Sequence, residues 1–191
     1  MGIVLASGSP RRLELLRMVG IGDFDVIPDT SEEEMISGLS PEQTVCRIAL
    51  QKAKNVSLSC SADDIIIAAD TLVYLDGRPF GKPESPETAV EILRKLSGRK
   101  HTVFTGLVLL KNEVHMTAAE KTDVYFREIS ETEIHAYVKS GEPMDKAGAY
   151  AAQGPGSVFI ERIDGDFFNV VGLPLCRLSK MLKEFGINII Q

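Results

Sequence analysis

An α/β architecture built around a mixed sheet follows from three features of the chain. Helix starts recur in a legible form, Ser-Pro or Ser-x-x-Glu/Gln ahead of an amphipathic segment. Strand-like apolar runs alternate with those helices early in the chain, as in folds with parallel pairing through helical crossovers. Hairpin signals, Asp76-Gly77, Lys111-Asn112 and Asp164-Gly165, dominate later and require antiparallel partners.

The first predicted strand, 3–6, passes through the small-residue turn Ser7-Gly8 into a helix. Ser9 is its expected N-cap, Pro10 its first helical residue, and Gly20 lies just past its end near Val19. A short strand at 24–27 precedes the sequence Ser40-Pro41-Glu42-Gln43, which opens a longer helix reaching about Leu58. Strand 65–75 comes next, then a helix from Ser85-Pro86 to Gly98. Strands 102–110 and 114–126 flank the Lys111-Asn112 turn, and Ser130-Glu131-Thr132-Glu133 begins a helix stopped by Gly141. Strands at 157–163 and 167–171 and a helix from Pro174 to about Phe185 complete the chain. No repeat or low-complexity linker interrupts it, so two lobes would share the chain without a flexible connector, with a cleft between them as the natural ligand site.

With 191 residues, 44% hydrophobic and 25% charged, the chain has the composition of a folded globular protein. No apolar run approaches the roughly 18 residues of a membrane span, and Met1-Gly2-Ile3 leads straight into the first strand, so a cytoplasmic location is expected. A net charge of −6 disfavours general nucleic-acid binding, leaving any polyanionic ligand to a few placed cations or a metal. Cys46, Cys60 and Cys176 are odd in number and widely spaced, as reduced thiols would be, and His101, His115 and His135 lack metal-ligand spacing.

Three anomalies carry chemistry. Arg11 and Arg12 sit in the first turn of a helix, at the positive pole of its dipole, where cations are unfavourable unless an anion binds. The plain alternative is a solvated arginine pair. Lys52 falls on the core stripe formed by Val45, Ile48, Ala49, Ala53 and Val56, so it either snorkels outward or meets an anion. Asp70 interrupts the long apolar strand 65–75, and a buried carboxylate needs a cation, a metal or hydrogen bonds. An Asp bonding a strand-end turn is the competing reading, but Leu72 to Leu75 continue the strand beyond it.

Lys82, in Gly81-Lys82-Pro83, and Lys146, in Asp145-Lys146-Ala147-Gly148-Ala149-Tyr150, add cations on stiffened loops that a ligand can approach. Glu32-Glu33-Glu34 is either a solvated loop or a source of a metal carboxylate working with Asp70. Together these groups suit metal-assisted hydrolysis of a phosphoanhydride: the cations hold a polyphosphate, magnesium binds Asp70 and a glutamate, and Asp70 accepts a proton from water.

The chain resembles the Maf family of nucleoside triphosphate pyrophosphatases over nearly its whole length. The resemblance rests on Leu5-Ala6-Ser7-Gly8-Ser9-Pro10-Arg11-Arg12, Arg47-Ile48-Ala49-Leu50-Gln51-Lys52-Ala53, Ala69-Asp70-Thr71, Gly81-Lys82-Pro83 and Leu96-Ser97-Gly98. It continues through Asp145-Lys146-Ala147-Gly148-Ala149-Tyr150 with Gln153, and Val171-Gly172-Leu173-Pro174-Leu175. It implies one domain over 1–191, a two-lobed fold related to the inosine triphosphate pyrophosphatases with a central cleft, and cleavage of a triphosphate to monophosphate and pyrophosphate. A divalent metal (magnesium, manganese or cobalt) and a homodimer are implied as well.

On that resemblance Asp70 is the proton acceptor, with Lys52 and Lys82 beside it in catalysis, and Glu33, flanked by Glu32 and Glu34, is its acidic partner at the metal. Ser7, Arg11, Arg12, Lys52 and Lys82 match phosphate-binding positions, and Lys146 joins the substrate-binding set. Arg11, Thr71 and Gln153 match the branch acting on dTTP and UTP. The Gln153 amide offers a donor and an acceptor side by side, complementary to thymine or uracil. Modified uridine triphosphates fit the same site, which implies removal of unwanted nucleotides, and the family has also been linked to arrest of septum formation. Gly8 stands where many relatives carry serine, and Gly154-Pro155-Gly156 predicts a flexible loop beside Gln153 that closes on binding. The rival readings are a purine pyrophosphatase acting on ITP or XTP and a nucleotide-sensing division regulator without turnover.

Overall fold

In the computed structural model, residues 2–31 and 38–190 are described. The elements, in order, are β1 (Ile3–Leu5), α1 (Pro10–Met18), β2 (Asp25–Val26), α2 (Pro41–Ser57), β3 (Ile65–Leu75), β4 (Arg78–Phe80) and α3 (Pro86–Leu96). They continue with β5 (Lys100–Lys111), β6 (Val114–Phe126), α4 (Glu131–Lys139), β7 (Ile160–Asp164), α5 (Phe167–Val171) and α6 (Leu175–Glu184). Three short 3-10 helices, Glu142–Asp145, Ala147–Ala149 and Pro155–Phe159, lie between α4 and β7. The sheet has seven strands in the order β2-β1-β3-β5-β6-β7, with β4 paired to β3. It is mixed: β1 is parallel to β2 and β3, whereas β3/β4 and β6/β7 are antiparallel.

The chain divides into two compact units. The first comprises 1–70, 105–120 and 172–191; the second comprises 71–104 and 121–171. In the first, Val4, Ala49, Ala53, Val56, Ile66 and Val108 form an apolar cluster joining α2 to strands β1, β3 and β5. Gly106 permits a very close approach there, because a Cβ at this position would collide with the Val45 carbonyl of α2. The second unit is cored by side chains of α3 and α4, including Leu93, Leu96, Ile134 and Tyr137, with Phe126, Tyr150 and Phe159. Each fully buried leucine in these clusters contributes about 1.5–3 kcal/mol.

Capping follows the sequence closely. Ser40 with Gln43, and Ser130 with Glu133, form reciprocal capping boxes, and Ser85 accepts the Thr88 N–H. Asp76 and Gly77, with φ of 51° and 74°, make the predicted hairpin turn between β3 and β4. The next turn falls one residue late, at Asn112-Glu113, because β5 runs through Lys111.

Three expectations fail. Residues 167–171 form α5, not a strand: Asp166 accepts the Phe168 N–H at 2.8 Å, and the Asn169 amide donates to the Val103 carbonyl and the Thr122 hydroxyl. A five-residue apolar run does not by itself separate helix from strand. The predicted strand 157–163 begins only at Ile160, since Pro155 starts a 3-10 helix after Gly154. Asp164-Gly165 consequently leads from β7 into α5 and joins no hairpin.

Candidate active site

In the first unit, β1 delivers the chain to Ser7, which is 7% exposed. Its hydroxyl oxygen accepts the Ser9 N–H at 3.2 Å and Arg12 Nη1 at 3.1 Å. Arg12 Nε donates to the Gly172 carbonyl at 2.8 Å, so the guanidinium is tethered at two points. Gly172 has φ 114°, a left-handed conformation that suits glycine. Ser9 occupies the N-cap position as expected, but its side chain makes no capping bond and the first turn of α1 contains no acid. A helix start without a side-chain cap from its own N-cap residue is a setting that suits anion binding. Arg11 is half-buried on the same turn.

The central pair lies between α2 and β3. Lys52 Nζ donates to Asp70 Oδ1 at 2.7 Å, with the two side chains 15% and 7% exposed. Lys52 thus does not snorkel to solvent; it ends on the carboxylate that interrupts the apolar strand. The other oxygen, Oδ2, is buried and has no hydrogen-bond partner among the described residues. A buried carboxylate oxygen left unmatched is costly, and such groups mark sites where a ligand, ion or water is to be received.

That oxygen also tests the fit of a metal. Magnesium ordinarily takes one or two carboxylate oxygens and completes its shell with water and substrate phosphates. Asp70 Oδ2 meets the first requirement, and no group of three or more potential protein ligands exists among the described residues. Glu33, the expected second carboxylate, lies outside the described residues, as do Glu32 and Glu34.

In the second unit, Thr71 follows Asp70 on β3 and is partly buried, while Lys82 is exposed on the loop after β4. The Gly148 N–H donates to the Gly81 carbonyl at 3.0 Å, which brings the loops of Lys82 and Lys146 together. Gly148 has φ 71°, and a Cβ there would lie 2.7 Å from Val73 Cγ2; Ala149 is left-handed too, at φ 58°. Backbone held in such conformations concentrates at functional sites. The Lys146 ammonium is paired with Asp145. Gln153 is exposed, between Ala151 and the 3-10 helix that starts at Pro155. Its loop is tied down where the sequence predicts flexibility: the Gly156 N–H donates to Glu142 and the Ala151 N–H to the Tyr137 hydroxyl.

Sequence reasoning missed the Gly172 carbonyl that holds Arg12, because a backbone acceptor has no residue signature. It also missed the support beneath the Lys146 segment, where buried Tyr150 bonds His101 Nε2 at 2.8 Å. Burial pushes the His101 imidazole down to about 4 and raises the Tyr150 phenol.

A family model described as Maf-like protein matches residues 2–185. The dTTP/UTP pyrophosphatase of Methanosarcina mazei is 50% identical over 190 residues, covering 98% of this chain and 95% of its own. That of Caldicellulosiruptor saccharolyticus is 44% identical over 194 residues, covering 99% and 97%. Among solved structures, a HAM1 protein from Coxiella burnetii superposes with a TM-score of 0.53 at 19% identity, covering 96% of this chain and 99% of its own, a likeness of fold. With a full-length family match and relatives this similar over nearly their whole length, the chain that carries the Lys52–Asp70 pair belongs to the Maf family.

Proposed function

We propose that the protein hydrolyses dTTP and UTP, and modified uridine triphosphates of the same shape, to the monophosphate and pyrophosphate. The observation that carries this reading is the buried Asp70 carboxylate, held on one oxygen by Lys52 and open on the other. Relatives at 44–50% identity that bear the name dTTP/UTP pyrophosphatase support the substrate.

In the proposed reaction a water oxygen bonds to the α-phosphorus, the α–β anhydride bond breaks, and pyrophosphate leaves with the bonding electrons. Asp70 takes the water proton at Oδ2. Lys52, in keeping Oδ1, aims that acceptor and supplies positive charge next to the phosphates. Ser7, Arg11 and Arg12 bind phosphate oxygens at the open start of α1, Lys82 offsets charge on the leaving group, and Gln153 and Thr71 address the nucleobase end. Lys146 contributes by exchanging Asp145 for a substrate oxygen. Asp70, with Glu33 or a neighbouring glutamate, would hold a divalent cation (magnesium, manganese or cobalt), which when bound neutralises phosphate charge.

The reading extends to a homodimer acting in the cytoplasm on unwanted nucleotides, with nucleic acid and membrane excluded as partners. No helix among the described residues is long and apolar enough to cross a membrane. The test is a magnesium-dependent screen over ribo- and deoxynucleoside triphosphates in ¹⁸O-water. The expected result is preference for dTTP and UTP, with label in the monophosphate. Diphosphate and phosphate as products, or faster turnover of ITP or XTP, would overturn it.

A further inference from the structure

The segment around Gln153 is gripped on both sides by one pair of side chains. On one side, the Ala151 N–H donates to the Tyr137 hydroxyl at 3.1 Å. On the other, the Gly156 N–H donates to Glu142 Oε2 at 2.9 Å. The two acceptors act on each other as well, since the Glu142 carboxylate, after burial, helps keep the Tyr137 phenol protonated. Tyr137 comes from the buried face of α4, and Glu142 opens the 3-10 helix that follows. The fit is close: a Cβ on Gly154 would collide with Glu142 Oε1, and one on Gly156 with the Tyr137 hydroxyl. Gly154 has φ 93° and ψ −163°, a conformation open essentially to glycine alone. Gln153 therefore projects from a backbone whose course is set on each flank, although the residue itself is exposed.

We infer that Tyr137 and Glu142 are positioning residues that hold Gln153 in register with the nucleobase, and so set the discrimination between uracil and cytosine. The inference rests on the reading that Gln153 contacts the base. Uracil offers an O4 acceptor and an N3–H donor where cytosine offers an N4 amine and an N3 acceptor. A glutamine amide distinguishes these edges only if its own orientation is fixed, because a freely turning amide presents either end. Hydrogen bonds from two backbone N–H groups to Tyr137 and Glu142 fix the backbone on both flanks of Gln153, and with it the point from which the amide reaches the base.

The experiment compares kcat and KM for UTP and CTP in the wild type, Gln153→Ala, Tyr137→Phe, Glu142→Gln and the double variant Tyr137→Phe/Gln153→Ala. Gln153→Ala is expected to lower the UTP-to-CTP ratio of kcat/KM. Tyr137→Phe and Glu142→Gln should each lower it by about tenfold, chiefly through KM for UTP, with kcat within about twofold. The double variant should discriminate no worse than Gln153→Ala alone, as coupled residues do. A role confined to folding predicts instead a parallel loss for both nucleotides and an unchanged ratio. If Gln153→Ala lowers the ratio while Tyr137→Phe and Glu142→Gln preserve it, the clamp is overturned and the reading of Gln153 stands. If Gln153→Ala leaves the ratio intact, that reading falls and the clamp with it.

Discussion

The Lys52–Asp70 pair of the first unit and the Lys82 and Gln153 loops of the second carry their polar groups in opposite ways. In the first, Lys52 and Asp70 project from a long helix and a central strand whose apolar residues pack in the core, and both side chains are largely withdrawn from water. In the second, Lys82 and Gln153 stand exposed on loops that are tied down by hydrogen bonds from backbone N–H groups. A charge on a regular element in a dry setting is worth more electrostatically and is placed more firmly. A residue on a tethered loop is more easily exchanged without loss of the scaffold. In the proposed reaction the shielded pair does the bond-breaking, while the exposed Lys82 and Gln153 serve leaving-group charge and base selection.

Asp70→Asn gives the largest expected effect. The amide keeps the size of the side chain but offers no basic oxygen to the attacking water, so kcat should fall by about 10³-fold. UTP binding, followed by calorimetry, should persist. A division regulator that binds without turnover would show no rate to lose, and a D70N enzyme of normal rate would take the proton-accepting role away from the first unit.

Lys52→Ala comes next, and here the structure changes what the sequence leads one to expect. A cation merely leaving the core stripe should be tolerated in folding. Because Lys52 is the ion-pair partner of a nearly buried carboxylate, its loss leaves a charge stranded and should cost about 3 kcal/mol of stability as well as turnover. Urea denaturation checks this, and Lys52→Ala/Asp70→Asn should recover much of the loss. Independent, additive losses would mean that the two groups do not act as one unit, despite their 2.7 Å separation.

Lys52 and Asp70 were legible because each is a charge in the wrong company, a lysine on an apolar helical stripe and an aspartate inside an apolar strand. Their direct contact was not, since it depends on how α2 settles on the sheet, which Gly106 controls by near-contact with the Val45 carbonyl. Capping residues placed the long helices well, as Ser40 and Ser130 show, because a cap is a local interaction. Helix α5 escaped because it is only five residues long, and beyond the local Asp166 cap it is held by the tertiary hydrogen bonds of Asn169 to Thr122 and Val103. The Tyr137–Glu142 grip escaped because neither residue is unusual in its own segment.

The units should also differ in acid. In the second, His101 is buried against Tyr150, with its imidazole pushed down to about 4 from the ordinary 6.5. Above pH 6.5 the folded and unfolded forms are both neutral there, and its contribution is fully present. As pH falls toward 4 the unfolded chain takes up a proton that the folded chain refuses, so stability declines across that window by about 3 kcal/mol in total. Urea midpoints between pH 7 and 4.5 should show the decline, and His101→Gln should flatten it. A wild-type slope unchanged by the substitution would show that other groups govern acid sensitivity.

The smallest effect tests the comparison most finely. Lys82 is exposed, so its attraction for a phosphate acts through water and is open to counterions, whereas the Lys52–Asp70 pair is largely shielded. Lys82→Ala should reduce kcat/KM for UTP by about tenfold at low ionic strength, a loss typical of one charge-assisted contact. Around 0.15 M salt the screening length is about 8 Å, so the wild type should lose part of its advantage and the difference should shrink as salt rises. The loss in Lys52→Ala should stay nearly constant over the same range. A Lys82→Ala deficit equally insensitive to salt would mean that this lysine is stripped of water when substrate binds, and the division between a shielded pair and solvated loops would then be a property of the unliganded protein alone.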